Sequence, residues 1–141
     1  MATIQQTLDD LAADFDALGD WEAQLEHVID MGKALPAFRL DEQTDPNKVR
    51  GCASQLWMIS EKTSDGGLAF RADADAIISK GLAAVVIQLV SGHRPSEILA
   101  FDLRAAFERL GLPRLSMSRA SGLASMAARI RSEAEAAISP A

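Results

Sequence analysis

The sequence contains a single cysteine, Cys52, in the segment VRGCASQLWM that begins at Val49. A thiolate is both a nucleophile and a metal ligand, so this residue is the first candidate for chemistry. Iron–sulfur clusters and zinc sites normally need about four ligands, and His27 and His93 do not complete such a set. His27 lies within a predicted helix, and His93 lies in a turn that we expect to be solvated. A thioredoxin-type disulfide cycle would need a second, resolving thiol.

The chemistry that one cysteine supports by itself is to accept a group and pass it on. A thiolate can attack the outer sulfur of another protein's persulfide, displace that protein's cysteine thiolate, and become a persulfide itself. Gly51 would give the backbone beside the thiol unusual freedom, and Lys48 and Arg50 would favour the thiolate over the thiol. Two alternatives are a buried cysteine that serves only as a small hydrophobic side chain, and a cysteine hydrolase with His27 or His93 as its base.

Composition limits the partners and the location of the protein. The 14 Lys and Arg residues against 20 Asp and Glu give a net charge of -6, which opposes binding to nucleic acid. The most apolar run, from Leu82 to Val90, is far shorter than the roughly 20 residues that cross a bilayer, and MATIQQTLDD has no signal-peptide pattern. An unpaired thiol survives best in a reducing compartment. We therefore expect one domain over residues 1–141, in the cytoplasm, without a nucleic-acid or membrane partner.

Apolar residues at steps of three and four predict the helices that surround Cys52. These helices lie over about residues 4–18, 20–35, 76–90, 95–101 and 102–110, and the last runs from Ser118 or Ser121 to about Ile138. Asp20 is placed to cap the second helix, and Asp73 or Asp75 to cap the third. Trp21 and Ile138 are expected to face the core.

Residues 54–62 and 68–72 are predicted to form a β-hairpin around the turn signal SDGG. A small antiparallel sheet flanked by helices gives an α+β fold. The polar segment from Asp41 to Arg50 has no periodic pattern, so it is predicted to be a loop that moves with Gly51 as its pivot. We expect this loop to turn Cys52 inward in the free protein and outward when a partner binds.

Three segments, in order and at matching spacing across nearly the whole chain, resemble the SufE family. They are VRGCASQLW at residues 49–57, DADAIISKGL at 73–82 and LSMSRASGL at 115–123. Met117 is a departure, because many relatives have proline at this position. The CsdE type shares these motifs, and the resemblance covers both types.

The resemblance implies a sulfur acceptor that stimulates a SufS-type cysteine desulfurase and relays persulfide sulfur from Cys52 toward iron–sulfur cluster assembly. It implies an α+β fold shared with IscU-like scaffold proteins and no independent turnover. The pyridoxal phosphate would belong to the desulfurase, so no cofactor is expected on this chain. The partners implied are that desulfurase and a downstream assembly scaffold, and the oligomeric state, a homodimer included, is left open. The rival function is a scaffold that itself binds iron or a cluster, against which the single cysteine argues.

The supporting site residues implied by these motifs are Gly51, Asp75 and Arg119. Arg119 would hold the cysteine loop or place positive charge near a persulfide anion, and its structural alternative is an ion pair with Asp73 or Asp75. The two aspartates would in turn serve only as helix caps.

Overall fold

The computed structural model describes residues 2–50, 55–115 and 120–138 of the chain. The helices are α1 (Ile4–Leu18), α2 (Trp21–Lys33), α3 (Ile77–Val90), α4 (Pro95–Ala100), α5 (Leu103–Leu110), α6 (Leu112–Leu115) and α7 (Ala120–Ile138). The strands are β1 (Leu56–Lys62) and β2 (Leu68–Ala74), and two 3₁₀ turns, Leu40–Glu42 and Asp45–Asn47, precede them. The two strands form an antiparallel sheet in which Leu56 faces Ala74 and Lys62 faces Leu68. The predicted α+β class and the predicted hairpin are confirmed.

Capping residues fix the boundaries of the first two helices. The Thr3 hydroxyl accepts a hydrogen bond from the backbone N–H of Gln6, and the Gln6 side chain accepts one from the Thr3 N–H. Gly19 ends α1 with φ of 84°, a conformation that costs glycine little. The Asp20 carboxylate accepts a hydrogen bond from the backbone N–H of Ala23, as predicted for the cap of α2.

Helix α2 packs against the core through Val28, with Leu25 and Met31 partly buried beside it, and Trp21 is the residue whose expected orientation fails. Gln24, Val28 and Gly32 are buried, whereas Trp21 is 56% exposed. The contact with α3 is made by the second half of α2, where Val28 and Gly32 touch Gly81, and the first turn extends beyond it. The expectation that Trp21 faces the core was therefore wrong.

Helix α3 lies at the centre of the molecule, with α1, α2, β2 and α7 packed around it. Its side chains Leu82, Val85, Val86 and Leu89 are at most 1% exposed. The packing against α2 brings the two backbones together, because a Cβ added to Gly81 would lie 2.5 Å from the carbonyl oxygen of Val28. Glycine in the segment DADAIISKGL thus has a packing role.

The C-terminal helices close the other side of the core. The Asp102 carboxylate caps α5, and Gly111 ends it in the left-handed conformation at φ of 70°. The short helix α6 was not predicted. Helix α7 buries Leu123, Met126 and Ile130, as expected, but Ile138 is 53% exposed because it is the last residue of the helix and lies beyond the packed stripe. Within the described ranges, each helix is too short or too polar to cross a membrane.

Candidate functional site

Three of the predicted site residues lie outside the described residues: Cys52, Gly51 and Arg119. The candidate site is therefore described through the residues on either side of Cys52. The chain leaves the described part at Arg50 and re-enters it at Gln55, directly before β1. The cysteine loop is defined here as residues 50–55, and the segment 46–49 that leads into it is called the stem. Both flanks of the loop have specific partners.

The base of the cysteine loop is closed by backbone hydrogen bonding. The N–H of Val49 donates to the carbonyl oxygen of Leu56 at 2.7 Å, and Lys48 forms an antiparallel bridge with Trp57. Val49 is 3% exposed and Leu56 is fully buried, so water does not compete for this hydrogen bond. The stem therefore acts as a short third strand on the outer edge of β1.

Covalent geometry sets an upper bound on the distance between Cys52 and the closed base. Cys52 lies three positions after Val49 and three positions before Gln55. Because a residue spans at most about 3.6 Å of extended chain, the Cα of Cys52 stays within roughly 11 Å of both anchors.

Asp75 holds the other flank of the loop. Its carboxylate accepts a hydrogen bond from the backbone N–H of Gln55 at 3.0 Å, and its own N–H donates to the carbonyl oxygen of Gln55 at 3.1 Å. Helix α3 has Ala76 before its first residue and no side-chain cap. The expectation that Asp75 or Asp73 caps this helix was therefore wrong, because the Asp75 carboxylate is turned toward the cysteine loop.

Asp73 is also engaged in tertiary contacts. Its carboxylate accepts a hydrogen bond from the Gln43 amide at 3.1 Å and lies 3.4 Å from the ammonium of Lys80. The sequence suggested an ion pair between Arg119 and one of the two aspartates. Arg119 lies outside the described residues, so this ion pair stays a prediction. What the structure does show is that Asp73 ties the segment before the stem to β2 and α3.

The polar segment from residue 39 to residue 48 makes specific contacts with β2 and within itself. Glu42 accepts two hydrogen bonds from the Arg71 guanidinium on β2, at 3.0 and 2.5 Å, and its backbone carbonyl accepts one from Asn47 at 2.8 Å. The paired guanidinium lowers the pKa of Glu42 to about 2. The segment thus has partners on the hairpin and within itself in this conformation, and the swing of residues 41–50 on partner binding stays a prediction.

Arg129 on α7 is a residue of this region that the sequence did not reveal. Its guanidinium reaches the backbone carbonyl oxygens of Pro46, Lys48 and Met58 at 3.0, 3.2 and 3.1 Å. Glu133, one helical turn later, accepts a hydrogen bond from Nε at 3.1 Å and orients the group. No local pattern signals these contacts, since residues 71 to 83 positions apart in the sequence make them.

A basic groove runs beside the stem. It has a volume of about 410 Å³ and is lined in part by Lys48, Arg50 and Arg129, with Asp45 at one side. In a chain of net charge -6, this is a local excess of positive charge next to the cysteine loop. Positive charge favours a thiolate over a thiol where it lies near the sulfur, and Cys52 itself is outside the described residues.

The apolar residues that follow the loop divide between the two faces of β1. Leu56 and Met58 are fully buried and belong to the main core, whereas Trp57, on the opposite face, is 9% exposed and lies outside that cluster. Trp57 is thus a structural residue of the sheet at the base of the loop. Whether it also shields the sulfur remains a prediction.

His93 is placed far from the cysteine loop. It is 5% exposed, contrary to the expectation of a solvated turn residue, because Gly92 and His93 both pair with the backbone of Leu68. Leu68 faces Lys62, six residues along β1 from Leu56, which is roughly 20 Å at about 3.3 Å per residue. Cys52 itself lies outside the described residues, so the hydrolase alternative with His93 as base stays a prediction.

The remaining candidates give no metal site in the described part of the chain. His27 packs its ring edge-on against Phe15, with 5.8 Å between the ring centres. No group of three His, Asp or Glu side chains in residues 2–50, 55–115 and 120–138 is arranged to hold a metal ion. Cys52 lies outside these ranges.

The fold and the site define a class of small α+β protein whose single cysteine lies, in the sequence, between two segments that pair with each other at the base of a hairpin. The family profile described as SufE, Fe-S metabolism associated domain, matches residues 9–134. The chain belongs to the SufE family.

Similar proteins agree with this assignment. An uncharacterized SufE-like protein of Rhizobium meliloti (strain 1021) is 44% identical over 133 residues, which cover 92% of this chain and 95% of that protein. A second uncharacterized SufE-like protein, from Rhizobium etli, is 43% identical over 139 residues, which cover 96% of this chain and 91% of that protein. The solution structure of a hypothetical protein from Thermus thermophilus has the same fold, with a TM-score of 0.76 at 14% identity over 94% of this chain and 96% of that one. The SufE domain places the chain in iron–sulfur metabolism.

Proposed function

We propose that this protein is the sulfur acceptor and activator of a SufS-type cysteine desulfurase. It takes persulfide sulfur onto Cys52 and passes it to an iron–sulfur assembly scaffold. Membership of the SufE family supports the sulfur-transfer part of the proposal, and the lone cysteine restricts the acceptor to one residue.

The transfer is a thiol–disulfide type of exchange that needs no external oxidant or reductant. The Cys52 thiolate attacks the outer sulfur of the desulfurase's cysteine persulfide. A new S–S bond forms at Cys52, the S–S bond on the desulfurase breaks, and the desulfurase's cysteine leaves as a thiolate. The reverse arrangement of the same step, with an acceptor thiolate attacking the outer sulfur on Cys52, delivers the sulfur onward.

The observation that carries this proposal is the closed base of the cysteine loop. A carrier has to bring its sulfur into the active site of another protein and keep its own fold intact. The Val49–Leu56 hydrogen bond on one flank and the Asp75–Gln55 pair on the other hold the described residues on both sides of Cys52 in place. Flanks that are already in place need not be ordered on docking, and this keeps the entropic cost of binding small.

The proposal assigns no cofactor to this chain and leaves the pyridoxal phosphate with the desulfurase. It places the reaction in the cytoplasm, where thiols are kept reduced. Gly51 and Arg119 are assigned supporting roles at the loop, as pivot and as a positive charge beside the persulfide. Asp75 is assigned the role of holding the loop at Gln55.

The test is intact-mass analysis after incubation with a SufS-type cysteine desulfurase and free cysteine. The wild-type protein is expected to gain the mass of one sulfur atom, which a reducing agent removes. Cys52→Ser is the matched control: it is expected to fold and to gain no sulfur, because an alcohol is a much poorer nucleophile than a thiolate and forms no persulfide. Sulfur on Cys52→Ser would reject the role of Cys52, and bound iron on a wild-type protein that gains no sulfur would favour the scaffold function.

A further inference from the structure

Arg129 makes a set of contacts that helix α7 does not need for its own stability. The side chain is 20% exposed, and its N–H groups make four hydrogen bonds: one to Glu133 and three to backbone carbonyl oxygens of other segments. Two of those oxygens belong to the stem, at Pro46 and Lys48, and one belongs to β1, at Met58. Arg129 therefore joins three separate parts of the chain directly below the cysteine loop.

The contact with Met58 completes the outer edge of β1. Carbonyl groups two residues apart on a strand point the same way, so those of Leu56 and Met58 both face the edge opposite β2. The Val49 N–H donates a hydrogen bond to the Leu56 carbonyl at 2.7 Å, and the Arg129 guanidinium donates one to the Met58 carbonyl at 3.1 Å. Arg129 thus continues the pairing of the strand edge two residues past the last backbone hydrogen bond of the stem.

A guanidinium is suited to this task in a way that an ammonium is not. Its donors lie in one plane and diverge, so a single group can reach carbonyls of two neighbouring segments, whereas lysine offers a point charge on a flexible side chain. The ion pair with Glu133 restricts the rotamer of Arg129 further. The stem is in this way fixed to the sheet by a rigid connection to α7.

From these contacts, we propose that Arg129 is a positioning residue for sulfur transfer: it fixes the stem on β1 so that the loop always presents Cys52 from the same base. This role rests on the proposed function, since it concerns the placement of the acceptor sulfur. Arg129 does not touch the reacting atoms in this assignment. Its loss lets the stem and the loop move together, and a misplacement of about 1 Å in a reacting group can slow a reaction by as much as about 100-fold.

The test compares Arg129→Ala and Arg129→Lys with Arg131→Ala as the matched control. Arg131 lies on the same helix and donates to a backbone carbonyl outside the stem, that of Leu99, so its loss removes the same charge and a similar hydrogen bond. The desulfurase rate is measured as a function of the concentration of each variant, together with the thermal unfolding midpoint.

We expect both Arg129 variants to lower the maximal stimulated rate by about tenfold or more, while the half-saturating concentration stays within about twofold. Arg131→Ala is expected to leave both values at the wild-type level. Because Arg129→Lys keeps the charge and most of the side chain, it separates loss of the fork geometry from loss of folding.

Two results would overturn the inference, and they differ from each other. If wild-type protein gains no sulfur and no variant changes the desulfurase rate, the proposed function fails and this role fails with it. If wild-type protein gains sulfur but the Arg129 variants reach the same maximal rate as Arg131→Ala, only the positioning role fails. A lower unfolding temperature with unchanged rates also assigns Arg129 to fold stability alone.

Discussion

Replacement of Asp75 by alanine is expected to loosen the cysteine loop at Gln55 and leave its other flank in place. In the wild type, the Asp75 carboxylate accepts the Gln55 N–H at 3.0 Å, while the reciprocal hydrogen bond uses only backbone atoms. The alanine variant therefore loses one hydrogen bond and keeps the other. Asp75→Asn is the matched variant, because its side-chain oxygen can still accept the same hydrogen bond without the negative charge.

The size of the effect follows from the environment of this hydrogen bond. A hydrogen bond to a charged group contributes about 1.5–3 kcal/mol, but Asp75 is exposed and water competes, so about 1 kcal/mol is expected here. A difference of about 1.4 kcal/mol is tenfold in an equilibrium, so local opening at Gln55 should become roughly fivefold more frequent. Amide hydrogen exchange of Gln55, followed by NMR, reports this opening directly.

The Val49 amide is the internal reference in the same spectra. This amide donates to the carbonyl oxygen of the buried residue Leu56, and the Asp75 side chain takes no part in that hydrogen bond. Its exchange rate should therefore be the same in the wild type, Asp75→Ala and Asp75→Asn. The exchange rate of the Gln55 amide in Asp75→Asn should lie between the rates in the wild type and in Asp75→Ala. Equal Gln55 exchange in the wild type and the alanine variant would refute the holding role of Asp75, and faster exchange at both amides would show a general loss of structure instead.

Two further predictions concern the frame of the site. Gly81→Ala should lower the free energy of unfolding by about 1–3 kcal/mol, because the new Cβ would lie 2.5 Å from the carbonyl oxygen of Val28 and the helices must separate; an unchanged thermal midpoint would contradict this. Glu42→Gln should destabilise the protein at pH 7, and the difference from wild type should persist down to about pH 4.5 and vanish as the pH falls toward about 2, since Arg71 lowers the Glu42 pKa to about 2. A difference in stability that does not vary between about pH 5 and about pH 2 would show that the ion pair is not its cause.

The helices and the hairpin were predictable because their signals are local. Thr3 and Asp20 bond to backbone groups three residues away, Gly19 ends a helix through its own conformation, and the turn after β1 depends on a few adjacent residues. Such interactions form within one segment and do not require knowledge of its neighbours. For the same reason, the position of Cys52 between a polar segment and a strand could be read directly from the sequence.

The environment of the loop could not be predicted in this way. Asp75 had the position of a helix cap and instead holds Gln55, and Arg129 had the appearance of an ordinary charged residue on a helix. The segment before the cysteine looked mobile because its sequence has no pattern, yet Glu42 binds Arg71 some 29 positions away. A polar residue pairs with whatever partner the fold brings near it, and the local sequence carries no record of that partner.

The sequence by itself determined the class of fold, the order of the main elements and the presence of a single thiol. Each of these depends on residue type, short-range spacing or the count of thiols. The tertiary structure alone decided which polar groups hold the flanks of the cysteine loop, because Asp75 contacts Gln55 across 20 positions of chain and Arg129 contacts the stem across 83. It also decided that His93 is buried at the far end of the hairpin, since that follows from how the chain after α3 returns to β2 and not from the turn in which the residue lies.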